Sequence, residues 1–285
     1  MNSVIANYHH SLALAQMPTN HRLRDPVTAL ITKGFATLKL DNQAQASVWA
    51  ALDSITHVPS HAKAQFCFPD RTEGFLSMGG EHAKYTDNVD LCDRFCFWHK
   101  HRAFHESYEL STTSFYSSVA NSEALLWALA QELIDGLWSF FHNNDSIHVR
   151  NHSYVQLCAY ENAYQVGDRK YMQDRHEDGH LVTLIKPTRD GLVIFPNDVE
   201  TPVHLADDEV LVITGSLLTA LSDGQIPPMY HAVKNPKMAV SRKSLVYFAI
   251  PDLSQTYTTL LGKKPLNVAA LANESHRAFG NTALV

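Results

Sequence analysis

The chain is short of the residues that unusual protein classes require. Glycine and proline number only 12 each in 285 residues, which excludes collagen-like and low-complexity architectures. Charged residues make up 18%, too few for a disordered chain, while 45% hydrophobic and 10% aromatic residues supply a sizeable core. Positive charge is in deficit: 23 Lys and Arg face 29 Asp and Glu, a net charge of −6, so no nucleic-acid partner is expected. The four cysteines, Cys67, Cys92, Cys96 and Cys158, do not make a disulfide framework in a chain this long. Cys92 and Cys96 lack a second pair to complete a metal site, and buried reduced thiols are expected. No Lys or Arg precedes the apolar patch at Leu12 to Leu14, so the N-terminus does not read as a signal peptide. No apolar run approaches the ~20 residues of a membrane span. These absences describe a soluble, cytoplasmic protein without a membrane partner. The one residue in excess is histidine, at 17 of 285.

The front half reads mainly helical. Asp41 is placed to cap a helix whose apolar positions Ala44, Val48, Ala51, Leu52 and Ile55 follow helical spacing. A longer helix fits residues 114–141, with Leu125, Leu126, Leu129, Leu133, Leu137 and Phe140 along one face. Residues 33–40 alternate as a short strand. After about residue 146 the texture changes to short β-rich segments at 153–160, 180–186, 192–195, 203–205, 210–214, 230–233 and 241–250. Seven strands at such spacing predict a double-sheet jelly roll or a closed barrel. The expected fold is mainly β with flanking α: a helical region at 1–145 packs on a β core at 146–252. A tail at 253–285 follows, helical around 266–279, and the whole forms one compact unit.

Chemistry concentrates at Arg175-His176-Glu177-Asp178-Gly179. In extended backbone, residues i and i+2 face the same side, so His176 and Asp178 can offer an imidazole nitrogen and a carboxylate oxygen to one metal ion. His231 opens another strand 53 residues beyond Asp178, a gap that a β-sandwich can close. Two histidines and one carboxylate make the facial triad of non-haem Fe(II) oxygenases, which leaves positions open for co-substrate and O₂. Eleven residues after His231, Arg242 and Ser244 share a strand face. A guanidinium and a hydroxyl so placed can hold one carboxylate. An inward Arg242 leading into the apolar run at 245–250 demands an anionic partner.

The order His-x-Asp, a distant His and then Arg-x-Ser resembles the isopenicillin N synthase-like family of Fe(II) oxygenases, mostly 2-oxoglutarate-dependent, whose core is a double-stranded β-helix. Thr183-Leu184-Ile185, Gly191-Leu192, the segment at 215–224, the run from Pro227 through His231 to Val233, and Phe248 fall in the same register. The likeness covers about residues 150–251 closely and about 25–145 diffusely. It implies His176, Asp178 and His231 as ligands of Fe(II). It implies Arg242 and Ser244 as the grip on the distal carboxylate of 2-oxoglutarate, with Tyr160 beside them. Two departures stand out: Asn and Pro are missing around Tyr160, and the family's Gly-Asp appears as Gly215-Ser216. Retention of Asp178 argues against halogenation, because related halogenases carry a small residue there. The implied reaction is oxidation of an unactivated C–H bond of a small-molecule metabolite by hydroxylation, desaturation or cyclisation, releasing succinate and CO₂. The rivals are a 2-oxoglutarate-independent Fe(II) oxidase or cyclase of the same fold, and a non-catalytic metal-binding jelly-roll protein.

Arg175, Phe248 and Arg102 are the candidate substrate contacts, suited to an anionic or amino-acid-like molecule. His99, Lys100, His101, Arg102 and His105 form the densest cationic cluster. It reads as a solvated basic patch, alternatively as the rim of the active-site mouth. His148 and His152 read as turn residues, and His180 as outside the ligand set.

Overall fold

The computed structural model describes residues 21–285 except 85, 144–146, 161–167, 237 and 239–240. The apolar patch at Leu12 to Leu14 lies outside the described residues. In chain order the elements are α1 (His21–Lys33), β1 (Phe35–Lys39), α2 (Asn42–Ser54), α3 (Ser60–Gln65), β2 (Cys67–Phe68), β3 (Glu73–Leu76), β4 (Asp93–Trp98), α4 (Arg102–His105) and α5 (Ser114–Phe140). There follow β5 (Tyr154–Ala159), β6 (Tyr171–His176), β7 (Val182–Pro187), β8 (Leu192–Ile194), β9 (Thr201–Pro202), β10 (Glu209–Thr214) and α6 (Ser216–Leu221). The chain ends with β11 (His231–Lys234), β12 (Lys243–Ala249), β13 (Tyr257–Thr258), β14 (Pro265–Leu266) and α7 (Val268–Ala278). No described helix is long and apolar enough to cross a membrane.

From β5 to β12 the strands alternate between two antiparallel sheets, save that β8 and β9 follow each other in the smaller one, as in a jelly roll. β5, β7, β10 and β12 lie in an eight-stranded sheet of order β1-β10-β7-β12-β5-β4-β3-β2, while β6, β8 and β11 lie in a four-stranded sheet of order β6-β11-β8-β9. The two-residue side-chain period divides the large sheet into two faces. Leu157, Leu184, Leu245 and Tyr247 are buried in one apolar cluster with Val48 and Leu52 of α2 and Leu126, Leu133 and Leu137 of α5. Gln156, Cys158, Ile185, Ser244, Val246 and Phe248 face the other way, into a cavity that β6, β8 and β11 close from the opposite side.

Local chemistry accounts for the helices. The Asp41 carboxylate accepts from the backbone N–H of Ala44 at 2.8 Å and caps α2. Thr113 does the same for Tyr116 at the start of α5, at 3.2 Å. The buried stripe of α5 runs through Leu126, Ala130, Leu133, Ile134 and Leu137, while Leu125, Leu129 and Phe140 are only partly covered.

The front half is less helical than expected: β2, β3 and β4 extend the large sheet beyond β5. β4 pairs with β5 from Asp93↔Ala159 to Trp98↔Tyr154, and Phe95, Phe97 and Trp98 are buried there. β6 was not among the expected strands, because Tyr171–His176 is mostly polar and its burial follows no clean alternation. The predicted strand at 203–205 is displaced to β9. The tail contains a short β13–β14 hairpin ahead of the predicted helix.

Candidate metal centre and its cavity

β6 and β11 are antiparallel neighbours, and their register sets His176 opposite His231. The two imidazole centroids lie 4.2 Å apart. Asp178 follows just beyond the end of β6. Its Oδ1 lies 3.6 Å from His176 Nε2 and its Oδ2 3.9 Å from His231 Nε2. One potential ligand atom from each of these buried residues lies within 4.8 Å of the others, and among the described residues no other such group forms.

Neighbouring atoms fix two of the three members. His176 Nδ1 lies 2.7 Å from the Asp174 carbonyl oxygen, which requires the proton on Nδ1 and leaves the Nε2 lone pair facing the other two ligands. Asp178 Oδ2 accepts from Thr183 Oγ1 at 2.6 Å. The loop after His176 is pressed between two elements. A Cβ on Gly215 would sit 2.2 Å from the His180 carbonyl oxygen and 2.7 Å from that of Asp178, and one on Gly179 would sit 1.8 Å from Ser275 Oγ of α7. Only glycine permits these approaches. Ser216 N–H donates to the Asp178 carbonyl at 2.8 Å, so the Gly-Ser dipeptide serves the position of the loop.

Burial opposes ionisation of Asp178, but His231, His176, His180 and the Thr183 hydroxyl outweigh it and hold the carboxyl below its ordinary range. Burial and the adjoining His176 press His231 down to about 4 despite the pull of Asp178. At neutral pH the pair is therefore a carboxylate and a neutral imidazole, the forms that bind a cation. The donor set suits one first-row divalent ion bound on one face, with open positions on the other.

Ser244 lines the same cavity, which holds about 680 Å³ of empty space, part of it open to solvent. Behind Ser244 is Arg242, only 2% exposed. Arg242 Nη1 donates to Ser244 Oγ at 2.9 Å and Nε to the Asp190 carbonyl at 3.3 Å, and the guanidinium lies 4.8 Å from the Tyr160 ring centroid. Its Nη2 is buried without a partner among the described residues. A buried guanidinium whose described partners are all neutral retains the capacity to hold an anion. The Tyr160 hydroxyl donates to Gln173 Oε1 at 2.5 Å.

The other expected contacts separate. Phe248 lines the cavity, its ring 4.5 Å from that of His180. His180 also lines it, pushed down to about 4 by burial, and stands outside the convergent trio. Arg175 does not line it: the side chain ion-pairs with Asp198 and lies over the Phe195 and Tyr230 rings at 4.6 and 4.9 Å. Arg102 is exposed on α4 and is absent from the cavity wall.

The cationic cluster around Arg102 is solvated only in part: Lys100 and Arg102 are exposed, His99 and His101 are half-buried and His105 is buried. His105 is fully buried, with Nε2 2.6 Å from the buried Glu73 carboxylate, and His101 Nδ1 lies 3.0 Å from the same group. Lys100 Nζ donates to the Leu284 carbonyl at 3.3 Å. The buried Glu73 carboxylate thus has both imidazoles as hydrogen-bond partners. His152 accepts from the Leu253 N–H at 3.2 Å, as a turn residue can. All four cysteines are free thiols, and only Cys67 is exposed.

Glu81, Asp90, Gln156, Gln173, His276, Phe279 and Asn281, none of them part of a motif that the sequence marks, also line the cavity. They come from five separate stretches of chain and share no motif, so only the fold brings them together.

No family model matches the chain, and no curated protein matches it. Solved structures do. A full-length Neurospora crassa protein in complex with alpha-KG and thymine superposes with a TM-score of 0.72 at 17% identity, covering 89% of each chain. A protein of Caulobacter crescentus assigned to the 2OG-Fe(II) oxygenase family gives 0.71 at 17% identity, covering 96% of each. JOX2 in complex with 2OG, Fe and JA gives 0.65 at 16%, covering 86% of this chain and 77% of the other. At such identities the likeness is one of fold. This chain has the jelly-roll architecture that these 2OG-Fe(II) oxygenases share, and its convergent His-Asp-His trio lies between the two sheets.

Proposed function

We propose that the chain is a non-haem Fe(II)- and 2-oxoglutarate-dependent dioxygenase, isopenicillin N synthase-like, that oxidises a C–H bond of a small-molecule metabolite. One observation carries the reading: the cavity lined by the cation-binding trio is also lined by Ser244, whose hydroxyl accepts from the buried Arg242 guanidinium. The same fold holds alpha-KG in the Neurospora crassa protein and 2OG with Fe in JOX2, which favours 2-oxoglutarate over another anion at Arg242.

In this reading His176, Asp178 and His231 hold the iron, while Arg242 and Ser244 hold the distal carboxylate of 2-oxoglutarate. When bound, Fe(II) with 2-oxoglutarate and O₂ supplies an oxidant able to break an unactivated C–H bond, with succinate and CO₂ released. The remaining work belongs to the chain. Thr183 and the Asp174 carbonyl keep two ligands in their binding orientation. Tyr160 and Asp190 set the plane of the Arg242 fork, so that Nη2 is presented to the incoming carboxylate. Ile185, Leu192, Val246 and Phe248 line the cavity with apolar surface and limit water beside the reacting centre. The position of the substrate carbon, fixed by this wall, decides among hydroxylation, desaturation and cyclisation. A soluble cytoplasmic enzyme of specialised metabolism is the setting that accords with this chemistry.

The test is anaerobic titration of the Fe(II) protein with 2-oxoglutarate, followed by a metabolite screen scored by succinate. A charge-transfer absorption band and substrate-stimulated succinate are expected. No band and no substrate-linked succinate would refute the proposal. O₂ consumption without succinate would replace it with a 2-oxoglutarate-independent oxidase.

A further inference from the structure

One part of the cavity wall has no task in that chemistry. Glu81 and Asp90 are brought side by side by the loop between them: His82 and Val89 form an antiparallel bridge, and Asp90 N–H donates to the Glu81 carbonyl at 2.8 Å. Both carboxylates are buried, 8% and 4% exposed, and both line the cavity.

Their situations differ. Glu81 is fully engaged: Arg94 pairs with it at 2.7 Å, Asn281 Nδ2 donates at 2.7 Å and Gln156 Nε2 at 3.2 Å. Asp90 has one described side-chain partner, Gln173, whose Nε2 donates to Oδ2 at 2.9 Å. The Tyr160 hydroxyl donates to the oxygen of the same Gln173 amide and so fixes which way the amide faces. Asp90 Oδ1 is buried and has no partner among the described residues. Glu81 thus takes the guanidinium of Arg94, and the neighbouring Asp90, which lines the cavity, is left with a single amide. Burial, then the neighbouring Glu81, push Asp90 up to about 6, so its ionised form gains from a cationic partner. A buried carboxylate left this way is costly unless something cationic completes it.

We propose that Asp90 is the substrate-recognising group of this cavity and that the substrate is a small molecule carrying a protonated amine, which donates to Asp90 Oδ1. The reaction the amine undergoes rests on the oxygenase reading; its recognition does not. Gln173 and Tyr160 act as positioning residues, linking the Arg242 end of the cavity to Asp90. The cavity then offers a cation to one ligand and an anion to the other, and the two are sorted by charge.

The test uses the full-length chain, anaerobic, with Fe(II) and 2-oxoglutarate. The charge-transfer band is recorded first, and its absence counts against the oxygenase reading alone, because amine binding is read separately by thermal shift. The probes are benzylamine, benzyl alcohol and benzoate, with butylamine, butanol and butyrate as a slimmer set. Amines should stabilise the protein, and the matched alcohols and acids should not. Asp90→Asn should weaken amine binding about 30-fold or more while leaving the 2-oxoglutarate band in place. Equal binding of alcohols or acids by the unaltered protein would overturn the proposal, as would undiminished amine affinity in Asp90→Asn. If Asp90→Asn also loses the band, Asp90→Glu decides: a retained preference for amines upholds the assignment, and its loss refutes it.

Discussion

Replacing Arg242 with methionine should affect stability and ligand binding very differently. The side chain is 2% exposed, and its described partners are the Ser244 hydroxyl, the Asp190 carbonyl and the Tyr160 ring. Losing two hydrogen bonds costs about 1 kcal/mol each, and losing the cation–π contact costs about 0.5–2 kcal/mol. Against this, Arg242→Met removes a buried charge with no described counter-ion, and an apolar side chain of similar length fills the space, a change often neutral or stabilising by roughly 1–4 kcal/mol. The ligand-free protein should therefore stay within about 2 kcal/mol of the parent in urea unfolding. 2-Oxoglutarate binding should suffer far more. Removing one partner of a buried charged pair costs about 2–5 kcal/mol, so the dissociation constant should rise from about 30-fold to several thousand-fold. Anaerobic titration of the charge-transfer band measures it. A ligand-free protein weakened by more than about 3 kcal/mol, with 2-oxoglutarate affinity unchanged, would mark Arg242 as a structural cation and refute the reasoning.

Three further outcomes follow from the same geometry. His176→Ala should abolish stoichiometric Fe(II) binding and turnover while the far-ultraviolet circular dichroism stays that of the parent; retained metal stoichiometry would exclude His176 as a ligand. Gly215→Ala drives a Cβ against the Asp178 and His180 carbonyls, and should lower metal affinity about 10-fold or more. Gly80→Ala, whose Cβ would meet Arg94 only at an ordinary 3.5 Å, should leave that affinity alone. Glu73 is depressed below its ordinary 4.5: burial raises it, but the hydrogen bonds and charges of His101 and His105 outweigh burial. Such a group contributes stability in full above its unfolded pKa and loses it as pH falls through the lower folded value. Glu73→Gln should therefore cost about 1–3 kcal/mol at pH 7, and the gap should close below pH ~4.5. An undiminished gap down to pH 3 in denaturant titrations would show that the pair's charge is irrelevant.

The parts legible in the sequence are those written in local order. His176-x-Asp178, His231 and Arg242-x-Ser244 are short motifs on strands, and the two-residue period brings each pair to one face wherever the strand runs. Helices α2 and α5 announced themselves through a cap and a stripe. β6 did not, because Tyr171–His176 lies at one edge of the smaller sheet and has a polar composition. The strand that carries the first ligand was thus the one its composition concealed. The histidine cluster at 99–105 misled for a related reason. Read alone it is a set of cations, and only the β3–β4 pairing reveals the buried Glu73 beneath it.

The cavity wall marks the deeper limit. Glu81, Asp90, Gln173 and Asn281 are ordinary polar residues along the chain, and what distinguishes Asp90 is an arithmetic of partners. Glu81 takes the one arginine, Asn281 and Gln156, while Asp90 keeps a single amide. Charge spacing in a sequence cannot express which of two adjacent carboxylates the arginine will choose. Motif order therefore locates where the metal chemistry sits, whereas substrate selection depends on an imbalance that exists only once the 81–90 loop, β4, β6 and the segment after α7 have met. For this reason Asp90→Asn and Arg242→Met are complementary tests. One removes a charge from the cavity wall and the other a charge behind Ser244, and each should weaken recognition of a different ligand while sparing the other.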